Sequence, residues 1–181
     1  MINYYLPTEV EINNELFEIR SDFRAILDII IALNDPDLNE QEKVYVSLKI
    51  FYKDYNNIKD IEKAYMKMIW FIDCGEDFKG YQNKPRVMDW EQDFNYIVPA
   101  INKTLGYECR SKEYLHWWSF IGAYQEIGEC SFSNIVSIRN KLRKNEKLEK
   151  WEKEFYRNNV DVIKLKTKLS KEEQELFDSI V

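Results

Sequence analysis

The stretch Tyr114-Leu115-His116-Trp117-Trp118-Ser119-Phe120 decides how this chain is read. It holds two of the five Trp and the single His of a 181-residue sequence. The pattern predicts a central helix from Ser111, as its cap, to Ile127, stopped by Gly128. On that helix Tyr114, Trp117, Trp118, Ile121 and Gln125 share one stripe, and His116, Phe120, Ala123, Tyr124 and Ile127 share the next. A helix apolar over most of its circumference is packed on several sides. Burying two Trp removes roughly 300–500 Å² from water, worth about 8–12 kcal/mol as an upper figure. That rivals the stability of a whole domain, on the order of 5–15 kcal/mol. The stretch therefore reads as the hub of a core, with His116 packed and hydrogen-bonded. Gly122 in mid-helix costs up to about 1 kcal/mol, which suggests a neighbour approaching closely there.

Working outward, the sequence predicts a mainly α fold: a compact multi-helix domain of about six to eight helices with a short N-terminal β-hairpin. Only 5 Gly and 4 Pro accompany 32% charged and 45% hydrophobic residues, a profile that favours helices over a turn-rich sandwich or barrel. Val10-Glu11-Ile12 and Leu16-Phe17-Glu18-Ile19 flank Asn13-Asn14-Glu15 as a hairpin. Helices follow from Ser21 or Asp22 to about Leu33, from Asn39 to about Tyr52, and from about Lys59 to Cys74, ended by Gly75. Glu76 to Val87 reads as a loop. Asp89 caps a helix to Leu105, closed by Gly106, with a kink expected at Pro99 because its ring nitrogen cannot bond the Asn95 carbonyl. Shorter helices are expected near Phe132–Lys141 and Lys147–Asn158, and Ser170-x-x-Glu173 caps a last turn or two. The organisation expected is one helical domain over residues 1–158 with its N-terminal hairpin, followed by a C-terminal extension, 159–181, that can hold a short helix.

Chemistry is scarce. One His rules out His-pair metal sites, while a Cys-His pairing such as Cys109 with His116 stays open without a residue to orient it. Asp35-x-Asp37-x-Asn39 begins like a calcium loop, but Glu40 replaces the turn glycine and Val46 the bidentate Glu. Asp89-x-Glu91-x-Asp93 could gather around Mg²⁺, yet acids in a first turn are expected from the helix dipole alone. Pro36-Asp37 with Asp77-Phe78-Lys79 loosely matches a metal-dependent nuclease, but lies in a helix break and a loop rather than on paired strands. No phosphate-cradling glycine loop or hydrolase motif occurs. The expectation is no enzyme, no cofactor and no metal.

Cys74, Cys109 and Cys130 are odd in number and widely spaced, which fits a reducing cytosol rather than a disulfide framework. The N-terminus has no basic-then-apolar leader, and Ile26–Leu33, interrupted by Asp28, is too short to span a bilayer. Net charge is -6, but residues 139–171 carry 12 Lys/Arg against 5 Asp/Glu. The plain reading is a solvated helical face. The functional one is a basic interaction surface of Arg139, Lys141, Arg143, Lys144 and Lys147, open to an acidic partner or nucleic acid.

Tyr-Leu-His-Trp-Trp-x-Phe at 114–120 resembles the signature of the Gp-fifteen family of siphophage proteins, also found in prophages. Further pieces agree in order: Leu6-Pro7 through Val10-Glu11-Ile12 to Ser21-Asp22-Phe23-Arg24, then Trp70-Phe71 with Cys74-Gly75. Asp89-x-Glu91-Gln92-Asp93 with Tyr96-Ile97 follows, and Arg139 with Phe155-Tyr156-Arg157 completes the set. The resemblance covers roughly residues 6–157. It implies a protein of the phage tail module, in the host cytoplasm, acting as a non-enzymatic tail-assembly chaperone on the tape-measure protein. Tail-tube protein and further copies of the chain are additional partners, with no membrane involved and absence from the mature virion. It assigns no catalytic residue, and makes Tyr114, Leu115, His116, Trp117, Trp118 and Phe120 a signature of the core. The alternatives are a minor structural component of the tail and a nucleic-acid-binding phage protein using residues 139–171.

Overall fold

The computed structural model describes residues 5–76 and 85–180. Of the loop expected at Glu76–Val87, residues 77–84, with Asp77-Phe78-Lys79, lie outside the described residues. The described chain is mainly helical, with nine α-helices behind a two-stranded antiparallel hairpin. It divides into two compact units.

The first unit combines residues 1–81, 114–119 and 168–181. β1 (Glu9–Ile12) and β2 (Glu15–Glu18) are joined by Asn13 and Asn14, both left-handed with φ of 54° and 66°. Two consecutive left-handed residues make the hairpin turn that matches strand twist, and Asn tolerates that region best after Gly. Glu15, expected in the turn, instead pairs with Ile12. α1 (Phe23–Leu33) is capped by Asp22, and α2 (Glu40–Phe51) by Asn39 in a reciprocal box with Glu42. α3 (Ile61–Ile72) starts at Asp60 and ends through left-handed Cys74 and Gly75, whose N–H bonds the Trp70 carbonyl at 2.8 Å. Val10, Ile12, Phe23, Ile26, Leu48, Phe51, Met68 and Phe71 are buried in this unit. α9 (Lys171–Ile180) carries the Ser170–Glu173 box and is longer than the turn or two expected.

The second unit combines residues 82–113 and 120–167. α4 (Trp90–Leu105) runs through Pro99, which, with Asn95, lies on the exposed side of the helix. α6 (Ser131–Arg143), α7 (Lys150–Asn158) and the single turn α8 (Val160–Ile163) follow. Ile135, Ile138, Leu148 and Ile163 form a buried cluster with Tyr96, Phe155, Tyr156 and Val162 against it.

The central helix differs from expectation. α5 runs from Trp117 to Gln125, not from Ser111, which ends a 3-10 turn at Cys109–Ser111. Tyr114, Leu115 and His116 are extended rather than helical, because their backbone groups pair with another segment, described below. The boundary between the units falls inside α5, after Ser119. Gly122 also departs from expectation: a Cβ there would meet nothing within 4 Å, so no close neighbour requires it.

Gly122→Ala should therefore raise stability by up to about 1 kcal/mol in a thermal or urea melt; a loss would mean that the glycine is needed after all. Gly75→Ala should do the opposite, costing about 1–2 kcal/mol. Its φ is +84°, and its new Cβ would lie 3.1 Å from Cη2 of Trp118.

Candidate functional site

In the first unit, the signature segment lies beside the start of α1 as a short antiparallel pair. Phe23 N–H donates to the Leu115 carbonyl at 3.0 Å and Trp117 N–H to the Ser21 carbonyl at 2.8 Å, with Asp22 opposite His116. The Asp22 carboxylate binds the pair together. It accepts from the Arg24 N–H, which caps α1, from the Arg24 guanidinium and, at 2.9 Å, from Leu115 N–H. The hydroxyls of Ser21 and Tyr114 lie 2.8 Å apart.

His116 is buried and neutral by construction. Its Nδ1 accepts from Trp118 N–H at 3.0 Å, which leaves Nε2 to donate to the Pro7 carbonyl at 2.9 Å. Burial pushes its pKa down, only partly opposed by the Pro7 carbonyl. Both nitrogens serve the backbone, so the imidazole is committed to structure. The indole N–H groups of Trp117 and Trp118 donate to the carbonyls of Ile72 and Phe71 at 2.9 and 2.8 Å. These carbonyls end α3, and that of Phe71 also accepts from the Cys74 N–H at 3.1 Å.

Beside this pairing opens a cleft of about 710 Å³. Ser21, Asp22, Arg24 and Tyr114 of the signature line it, with Ile19, Ala25, Asp28 and Ile50. Ile19, Ala25 and Ile50 are its aliphatic lining, and four cations, Arg20, Arg24, Lys49 and Lys53, outnumber the acids Asp22 and Asp28 around it. Arg20 donates to the carbonyls of Lys49, Ile50 and Tyr52 at 2.7–3.1 Å, closing the end of α2. Lys49 lies over the Tyr45 ring, and Lys53 pairs with Glu18. Tyr114 is 53% exposed at the cleft margin. Helical spacing predicts Tyr114 in the core, but the residue precedes α5 rather than riding on it.

The second unit holds a buried ion pair. Arg139 donates through both terminal nitrogens to Asp93, at 2.6 and 2.8 Å, with side chains 5% and 1% exposed. Its other donors reach the carbonyls of Val87, Val162 and Ile163, so all five N–H groups are used. Asp93 also accepts from Asp89 N–H at 2.9 Å. Gln92 fastens the same stretch from α4: its amide donates to the Lys164 carbonyl and accepts from Lys166 N–H.

Of the five residues proposed as a basic surface, Arg139 is thus inside the fold. Its planar fork needs a carboxylate once desolvated, and Asp93 supplies it. Lys141 grips the buried Glu152 through both oxygens at 2.7 and 2.9 Å. Burial raises the Glu152 pKa, but the hydrogen bond from Lys141 and the Glu149 N–H outweigh it, leaving the carboxyl acidic. Arg143, Lys144 and Lys147 are exposed. Leu115, Trp117 and Phe120 are buried and Trp118 half-buried. The Asp89 carboxylate caps α4 and accepts from Arg86 at 2.7 Å. Among the described residues, no group of three His, Cys, Asp or Glu is arranged to hold a metal. A signal for the ion pair was present: Asp93 shares a helix face with Ile97, Ala100 and Ile101, and Arg139 shares one with Phe132 and Ile135.

The pieces thus joined, Ser21-Asp22-Phe23-Arg24 to the 114–118 segment and Asp93 to Arg139, are the ones that define the resemblance. The family model described as Bacteriophage Gp15 protein matches residues 2–165. The chain belongs to the bacteriophage Gp15 protein family. No curated protein and no solved structure matches it. In this Gp15 protein the matched span ends at the strap of residues 162–166 that Arg139 and Gln92 hold. No described helix is long and apolar enough to cross a membrane.

Two measurements check this account. Asp93→Asn should cost about 3–5 kcal/mol in urea unfolding, since it strands a buried guanidinium, and Asp93→Leu with Arg139→Met should recover much of that. Equal losses in both would refute the stranded-charge explanation. Second, the depressed His116 pKa means that the folded state resists protonation. Its stability is full above the unfolded value near 6.5 and falls as pH drops from there through the folded value. Melts between about pH 7 and pH 5 should show this decline in the native chain and a weaker one in His116→Gln.

Proposed function

We propose that this Gp15 protein is a non-enzymatic tail-assembly chaperone that holds the tape-measure protein in the host cytoplasm until tail-tube protein polymerises around it. Membership of a phage family is the observation that carries the reading. The commitment of the lone imidazole to backbone hydrogen bonds supports a role in binding rather than catalysis. The client surface in this proposal is the cleft of the first unit, whose aliphatic residues Ile19, Ala25 and Ile50 and excess of cations suit an amphipathic helix bearing acidic residues. Helix-in-groove recognition needs such an apolar stripe at i, i+3, i+4 and i+7 on the client, and modest complementarity keeps binding reversible. The runner-up, a minor component of the finished tail, differs in one respect: it stays in the particle.

Co-expression with the cognate tape-measure protein should keep that client soluble, and Ala25→Arg, which fills the cleft, should remove the effect while the chain stays folded. A client equally insoluble with and without this protein sinks the proposal. Mass spectrometry of purified particles should find the chain absent; its presence at fixed stoichiometry would favour the structural component.

A further inference from the structure

The hairpin leaves backbone groups outside its own ladder. Ile19 N–H bonds the Thr8 carbonyl, so in this register Val10–Phe17 and Ile12–Glu15 are the hydrogen-bonded pairs, and Glu11–Leu16 and Glu9–Glu18 are the open ones. Leu16 and Glu18 therefore turn their backbone groups away from β1. The Glu18 carbonyl accepts from Lys53 N–H at 3.1 Å and Arg20 N–H donates to Phe51 at 2.7 Å, as if a third strand had begun. The chain then leaves into the 3-10 turn Tyr55–Asn57. What remains along β2 is an open edge: the N–H and C=O of Leu16 and the N–H of Glu18 have no partner among the described residues. Beside this edge lies a cleft of about 600 Å³ between β2 and residues 53–57.

Two further observations identify the occupant. The hairpin is fixed in place: Val10 and Ile12 are buried, and Asn13 is held by Asp60 at 3.2 Å and Lys63 at 2.5 Å. An incoming strand therefore meets a preformed template and orders little of it. The surroundings are acidic, with Glu9, Glu11, Glu15 and Glu18 exposed on the hairpin, Asp54 in the cleft wall and Lys53 of the same wall already paired with Glu18. Leu16, 64% exposed, offers one apolar contact. A second copy is disfavoured, since edge-to-edge pairing would bring together two hairpins of four Glu each.

We propose that the outer edge of β2 binds an extended segment of another protein that carries Lys or Arg alternating with β-branched residues, by strand addition centred on Leu16. This surface shares only Lys53 with the larger cleft and does not depend on the chaperone reading.

The test uses the full chain labelled with ¹⁵N and a synthetic peptide of alternating Lys and Val, with a Glu–Val peptide as control. The Lys–Val peptide should bind, weaken with salt, and slow hydrogen exchange at the Leu16 and Glu18 amides, while Phe17, already bonded to β1, changes little. Leu16→Pro removes an outward N–H that the hairpin itself does not use, and should lower affinity about fivefold or more with an unchanged melt. Should that variant fail to fold, Glu15→Lys decides, and it should shift preference toward the Glu–Val peptide. Equal binding of both peptides to the native chain, or protection at Glu9 and Glu11 instead of Leu16 and Glu18, would overturn the proposal.

Discussion

Two indole N–H groups closing the end of one helix are the constraint on which the first unit depends. Trp117 and Trp118 donate to the carbonyls of Ile72 and Phe71, at the end of α3 where its regular ladder of hydrogen bonds stops. The residues before Trp117 leave the helix. They do so by pairing with Ser21–Phe23, where Asp22 caps α1 and accepts from Leu115 N–H. His116 then falls between Pro7 and Trp118 with one nitrogen for each. Most of the signature segment in this unit is thus a single hydrogen-bonded assembly.

The second unit reaches the same end by a different device. A buried Arg–Asp pair is poor as a source of net stability, because desolvating two charges offsets most of their attraction. Arg139 does more than neutralise Asp93: three of its five donors hold the carbonyls of Val87, Val162 and Ile163. The pair fixes where the segment before α4 and the single turn α8 lie. With Lys141 committed to Glu152, the most basic part of the sequence is partly spent inside the fold. A charge count along the chain therefore overstates the field that residues 139–171 present to a partner.

Legibility followed the range of the forces involved. Asp22, Asn39, Asp89 and Gly106 could be read as helix ends because caps act within a turn. The mainly α fold and the hairpin were legible for the same reason. The segment 111–116 was misread as helix because its periodicity continues into α5, and only pairing with residues 21–23, distant in sequence, overrides it. Arg139 was read as surface because its carboxylate lies 46 positions away. The clefts were not legible at all, since Arg20, Lys49 and Lys53 carry no motif.

The sequence by itself determined the helical class, the caps, the aromatic hub and, through the spacing of its rare residues, the family. Those depend on local propensity and on residue identity, both present in the string. Only the tertiary structure decided that the hub is half strand and half helix, that a predicted surface arginine is buried, and that β2 keeps an open edge. Each of these depends on which distant backbone group completes a hydrogen bond, and that is settled when the chain closes on itself.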